Sequence, residues 1–167
     1  MMTSMGTNMS SSGNGLSTPA DVEALADQLS ACADELHARL TSEAAAIGAL
    51  PAAGAASATR VLRREQLAAM QDAEQLLRQR ADSLYQDAAS AVVATLGQPQ
   101  DEVLRVTTEA AEKIRKITLL GDAIGLVAGL VALAGGALLR QPTAVVAALQ
   151  VIRAQVAAVK GGLPPKK

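Results

Sequence analysis

The sequence predicts an all-α protein. Apolar residues recur at three- and four-residue spacing along most of the 167-residue chain, which is the period of an amphipathic helix. No segment shows the alternating pattern of a β-strand. Half of the residues are apolar but only 1% are aromatic, so Ala, Leu and Val must supply the burial between closely packed helices. The predicted order is a helical hairpin, a long helix with an apolar, glycine-spaced C-terminal half, and a final amphipathic helix.

The ends of the chain are polar and lack a helical pattern. Residues 1–17 are rich in Ser, Thr, Asn and Gly, which predicts a disordered polar N-terminus. This segment has neither a basic start nor an apolar stretch, so it is not a Sec-type signal peptide. Such a composition is also common in bacterial proteins exported without a cleaved signal. Residues 161–167 are expected to form a basic tail.

The helical hairpin is predicted over residues 18–97. Thr18 is a suitable cap, and Pro19 stands at the first helical position. Glycine and proline near residue 50 end the first helix, and the second is expected from about 57 to 96. Leucines at helical spacing should bury against one another along the hairpin seam, and these are Leu25, Leu29, Leu36, Leu77 and Leu84.

One continuous helix is predicted over residues 98–140, followed by an amphipathic helix over 141–160. Asp101 and Glu102 favour the start of the long helix, because acidic residues stabilise the positive end of the helix dipole. The pattern is amphipathic up to Ile117, and beyond that point every face is apolar. Residues 117–139 are therefore a candidate membrane segment, since they can span a hydrocarbon core of about 30 Å.

The small residues of this segment predict a face for close helix packing and oligomerisation. Glycine in a helix costs about 1 kcal/mol relative to alanine, so several glycines need a compensating contact. Small residues at four-residue spacing let helix backbones approach each other in lipid. One row consists of Gly121, Gly125 and Gly129, and a second consists of Ala128, Ala132 and Gly136. The absence of Trp and Tyr at either boundary argues against a membrane span.

Two functional interpretations follow from these helices. The first is a non-enzymatic, self-associating membrane protein, located at the inner membrane or exported without a cleaved signal, with lipid and its own copies as partners. The layout of a polar lead, helical hairpin and glycine-spaced apolar helix resembles that of bacterial translocators and helical pore-formers. The alternative is a soluble, cytoplasmic coiled-coil adaptor or chaperone-like bundle, with a helical protein partner and residues 117–139 as its core helix.

The sequence offers little that could carry out catalysis. Cys32 and His37 are the only cysteine and histidine, too few to assemble a closed zinc site with Asp34. No phosphate-binding loop or nucleophile motif is present, so we expect no catalytic residue, no cofactor, no metal ligand and no enzymatic activity. A net charge of −1 and the lack of aromatic stacking platforms argue against a nucleic-acid partner. Asp122, next to the glycine face, is a candidate pH-sensitive carboxylate.

Overall fold

The computed structural model describes residues 14–159 except 52 and 94. The expected disorder of residues 1–13 and the basic tail at 161–167 lie outside these described residues. The helices are α1 (Pro19–Gly48), α2 (Ala55–Gln86), α3 (Gln100–Lys116), a 3-10 turn (Leu120–Ala123), α4 (Ile124–Leu138) and α5 (Pro142–Val159). The predicted all-α class is confirmed, and the described part of the chain contains no strand.

Helices α1 and α2 form the predicted antiparallel hairpin. The Thr18 hydroxyl accepts the N–H of Asp21 at 3.1 Å, so α1 begins at Pro19 as its cap predicts. Glu43 pairs with Arg63 near the loop that connects the helices, and Asp34 pairs with Arg78 farther from it, which fixes the antiparallel register. The five leucines predicted for the hairpin seam are all fully buried, namely Leu25, Leu29, Leu36, Leu77 and Leu84.

The segment between α2 and α3 differs from the prediction, because α2 ends at Gln86 rather than near residue 96. The residues that follow form turns and bond to the start of the chain. The N–H of Val93 donates to the carbonyl of Leu16 at 2.8 Å, and the N–H of Leu16 donates to Oε1 of Gln100 at 2.9 Å. Leu16 is fully buried. The expectation of disorder is therefore wrong for residues 14–17, which dock against the α2–α3 connection.

The expectation of one continuous helix over residues 98–140 is also wrong. The backbone is extended at Ile117 and Leu119, and the chain then forms the 3-10 turn before α4 begins. The guanidinium of Arg39 on α1 donates to the carbonyls of Ile117 and Thr118. These carbonyls need no partner from a continuing helix, so the chain can reverse direction at this point.

The reversal packs one face of α4 against the rest of the bundle. Helix α3 runs parallel to α1, because Gln100 bonds to the carbonyl of Asp21 near the start of α1 and Arg39 reaches the end of α3. Helix α4 packs against α2 and α5. Arg153 of α5 also pairs with Glu102 of α3. All five α-helices contribute side chains to one apolar core, which consists mostly of leucine, valine and alanine.

Candidate functional site

The apolar segment that ends in α4 is the feature of the fold that bears most directly on function. Residues Leu120–Leu138 form a 19-residue stretch with a mean hydropathy of 1.8 in its best window. This is the one candidate span among the described residues, judged by length and composition. Within the bundle, 56% of that window is buried. A core helix of a soluble protein satisfies the same criteria, so length and composition alone do not distinguish the two.

Helix α4 has a large apolar face directed into the bundle and a narrower face directed to solvent. The inward face is fully buried and consists of Leu126, Leu130, Leu133, Ala134 and Ala137. On the outward face, Ala128 and Ala132 are exposed in the middle of the helix. The large side chains Ile124 and Leu139, at the two ends, are 45% and 67% exposed. The middle of the helix thus presents only methyl groups to water.

Three glycines of α4 allow α5 to approach closely within the same chain. A Cβ at Gly129 would lie 2.8 Å from Cγ1 of Ile152, and one at Gly136 would lie 3.1 Å from the backbone nitrogen of Val145. A Cβ at Gly125 would meet the side-chain amide of Gln155 at 2.6 Å. The order of these pairs shows that α4 and α5 are antiparallel. Their contact has the close backbone approach that small residues permit.

Polar side chains of α2 pack against two further glycines. The Gln66 amide lies against Gly121, where a Cβ would be 3.5 Å from Nε2. Arg80 lies against Gly135, with 2.7 Å between its Nη1 and the position of a Cβ. The same Nη1 donates to the carbonyl of Val131 at 2.7 Å. An arginine of α2 therefore bonds to the backbone of the most apolar helix in the fold.

The predicted packing residues separate into two groups. Gly125, Gly129 and Gly136 pack against α5, and Gly121 lies against α2, as just described. Ala128 and Ala132 are on the surface. The glycine row is thus already covered within one chain, and its use between chains stays a prediction.

Three polar side chains that pack against α4 were not predicted from the sequence, namely Gln66, Arg80 and Gln155. A signal was present for Arg80, which stands three residues after Leu77 and four before Leu84, in line with the seam of α2. A polar residue at such a position needs a partner when it is buried, and here the partner is the carbonyl of Val131.

Asp122 lies on the exposed surface of the 3-10 turn. Its N–H donates to the carbonyl of Leu119 at 3.1 Å, which helps to close that turn. The role of its carboxylate in pH sensing stays a prediction.

The residues considered for a metal site do not come together. Sγ of Cys32 is buried and donates to the carbonyl of Thr107 on α3 at 3.4 Å, and burial raises its pKa to about 12. Asp34 instead pairs with Arg78, and Nδ1 of the exposed His37 lies 3.8 Å from a Glu74 oxygen. His37 and Glu74 line an open groove of about 490 Å³ between α1 and α2. Among residues 14–159 as described, no three His, Cys, Asp or Glu side chains are grouped closely enough to hold a metal.

No protein-family model, no curated protein and no solved structure matches the chain. The features that bear on function are those of the fold itself, above all the apolar helix α4 and the way in which α2 and α5 cover it.

Proposed function

We propose that this is a non-enzymatic helical-bundle protein that acts at a membrane. In water, α4 is the core helix of the bundle. At a bilayer, α4 and α5 separate from the other helices and enter the hydrocarbon together as a helical hairpin. One observation carries this proposal: a 19-residue apolar stretch long enough to span a bilayer is partly covered by other helices of its own chain.

The buried face of α4 stays away from water in both states. Its buried leucines contact other helices in the bundle and would contact lipid chains in the membrane, so α4 itself loses little hydrophobic free energy. The glycine contact between α4 and α5 suits both states, because close backbone packing needs no water. Helix α5 is itself apolar over Pro142–Ala158. The two helices can therefore move as a unit without losing their mutual contact.

The polar contacts of α4 do not prevent its release. The carbonyl of Val131 lies within a regular helix, where it has its own bond to the N–H four residues later, so Arg80 is an additional partner. In the released state, the guanidinium of Arg80 would be hydrated on the remaining helices. The bond between Arg80 and Val131 thus adds to the stability of the bundle in water at a modest level, about 1.5–3 kcal/mol for a bond from a charged group.

Self-association in the membrane is part of the proposal. In the bundle, Ala128 and Ala132 are exposed and lie on the face of α4 opposite its buried leucines. In lipid, small side chains at four-residue spacing are suited to contact with a second helix. We therefore expect the inserted hairpin to form homo-oligomers, with the protein either resident at the inner membrane or exported before it inserts.

A second candidate function is a soluble adaptor or chaperone-like bundle in which α4 never leaves the core. The covered glycines favour this alternative, because Gly129 and Gly136 already have close partners on α5. In that case the exposed faces of α1 and α2 would contact a helical protein.

Fluorescence quenching in vesicles separates the two functions. In a Cys32→Ala background, a thiol-reactive fluorophore is attached at Ala132→Cys on α4 or at Ala69→Cys on α2, both exposed positions. Nitroxides on the lipid acyl chains should quench the label at position 132 and leave the control label at 69 unchanged. Absence of quenching at both sites, together with complete extraction of the protein by alkaline carbonate, would rule out insertion and favour the soluble bundle.

A further inference from the structure

The connection between α3 and α4 exposes both cations and large apolar side chains. Arg115 and Lys116 end α3 and are exposed. Leu119 is 61% exposed in the extended segment that follows, and Ile124 is 45% exposed at the start of α4. Of the residues between them, Ile117, Leu120 and Ala123 point inward and are at most 5% exposed, whereas Thr118 and Asp122 are exposed. The connection thus alternates between residues that anchor it and residues that face solvent.

Other helices hold this connection in place. Arg39 of α1 donates to the carbonyls of Ile117 and Thr118, the latter at 3.4 Å. The amide of Gln66 on α2 lies against Gly121. The backbone before Leu119 is hydrogen-bonded to Arg39, and the neighbouring side chains Ile117 and Leu120 are buried. These contacts keep the side chain of Leu119 exposed to solvent. Its exposure is therefore a property of the fold.

Helix α2 extends the apolar surface beside the connection. Leu62 lies one turn before Gln66 on the same face of α2, and it is 55% exposed. Its neighbour Val61 is also 55% exposed. Four of the eight large hydrophobic side chains exposed in the described part of the chain thus lie on the connection or at this end of α2. We call Leu62, Arg115, Lys116, Leu119 and Ile124 the connection surface.

The charge at this surface is positive although the chain as a whole is not. From Lys113 to Ile124 there are three cations (Lys113, Arg115 and Lys116) and one carboxylate (Asp122), whereas the whole chain has a net charge of −1. Basic residues in a last helical turn also stabilise the helix dipole, which accounts for their place on α3. Helix stabilisation gives no reason, however, for exposed leucine and isoleucine beside the cations. Apolar side chains next to basic ones match an anionic bilayer, which offers phosphates above a hydrocarbon interior.

We propose that the connection surface binds anionic lipid bilayers, with Leu119 and Ile124 entering the headgroup region and Arg115 and Lys116 at the phosphates. The inference rests on the proposed function, because it names the surface by which the bundle first meets the membrane. Contact here would place lipid beside the first turn of α4, the part that has to leave the bundle. A basic residue near an anionic surface contributes about fivefold to partitioning, so removal of two should lower it about 30-fold.

Vesicle flotation of the full chain tests this proposal. The vesicles are phosphatidylcholine alone or phosphatidylcholine with phosphatidylglycerol. The variants are Leu119→Ser and the double variant Arg115→Gln/Lys116→Gln. The matched control, Leu76→Ser/Arg105→Gln, changes an exposed leucine of α2 and an exposed arginine of α3, both outside the connection surface and outside α4 and α5. Circular dichroism verifies that each variant is folded, which is expected because every changed side chain is exposed.

Wild type and the control should float with the anionic vesicles, and 0.5 M salt should weaken this binding because it screens the charges. Both connection variants should lose binding, the double variant about 30-fold. Equal binding of connection variants and control, or equal binding of wild type to both vesicle types, would overturn the proposal. Failure of the proposed function is distinguishable: wild type would then float, but the label at position 132 would not be quenched. If the label at position 132 is still quenched in the connection variants, the proposed role of the connection surface is overturned, but insertion of α4 is not.

Discussion

The contact between α4 and α5 can be tested with two substitutions on the same face of α4. Gly125→Ala and Gly129→Ala add the same methyl group four residues apart. At position 129 the new Cβ would lie 2.8 Å from Cγ1 of Ile152, a fully buried and β-branched side chain. At position 125 it would meet only the amide end of Gln155, which is half-buried and flexible. The buried Ile152 side chain cannot make room by rotating, whereas the amide of Gln155 can.

The expected magnitude comes from the difference between the two variants. Both gain about 1 kcal/mol of helix propensity, which cancels when they are compared. Overpacking of a tight core contact costs about 1–3 kcal/mol, and only Gly129→Ala should incur this cost. The free energy of unfolding should therefore be about 1–3 kcal/mol lower for Gly129→Ala than for Gly125→Ala. For a chain of this length that corresponds to a difference in Tm of roughly 2–12 °C.

Urea unfolding followed by circular dichroism measures this difference directly, with an unchanged m value as evidence that both variants unfold from the same state. The difference should not depend on protein concentration, because the glycines contact α5 of the same chain. Equal stabilities would refute the packing described for Gly129. A difference that grows with protein concentration would show that the glycine face acts between chains.

Three further predictions concern the rest of the fold. Leu77→Ala should lower the free energy of unfolding by about 2–5 kcal/mol, whereas its neighbour Leu76, which is 37% exposed, should cost little more than 0.5 kcal/mol on the same change; similar values from urea unfolding would contradict the burial of the seam. Above pH 9 the thiol of Cys32 ionises in the unfolded state but stays protonated in the fold, where burial raises its pKa to about 12. The free energy of unfolding should therefore fall with rising pH by up to about 1.4 kcal/mol per unit more in wild type than in Cys32→Val, and parallel pH profiles would exclude this ionisation. Leu16→Ala should cost about 2–5 kcal/mol because Leu16 is fully buried, with Ser17→Ala as the control; equal thermal stability of the two variants would mean that residues 14–17 are not part of the core.

The sequence was most informative where local signals and hydrophobic spacing agree. Thr18 and Pro19 correctly predicted the start of α1, because capping depends on residues close in sequence. The seam of α1 and α2 was predicted from spacing alone, and its leucines are buried. The apolar segment was also recognised, although its spacing could not distinguish a membrane span from a core helix.

The errors arose where distant residues determine the local structure. The apolar pattern continues without interruption through Ile117, so nothing nearby indicated the break between α3 and α4. At the break, the carbonyl of Ile117 accepts a hydrogen bond from Arg39, which is 78 residues away in sequence. Leu16 was missed for a similar reason, since its polar neighbours suggest disorder while its backbone bonds to Val93 and Gln100. Helix α4 is also partly covered by Gln66 and Arg80, polar residues of α2 that are far from it in sequence.

The position of α5 after α4 has a consequence for the protein during its synthesis. Helix α4 is synthesised after α1, α2 and α3 and before α5, which packs against its glycine face. At about 5–20 residues per second, the 21 residues that follow Leu138, up to Val159, take roughly 1–4 s to translate. During that interval the most apolar helix of the chain is only partly enclosed. Factors that bind nascent apolar segments, whether they lead to a membrane or protect against aggregation, meet this helix before its fold is complete.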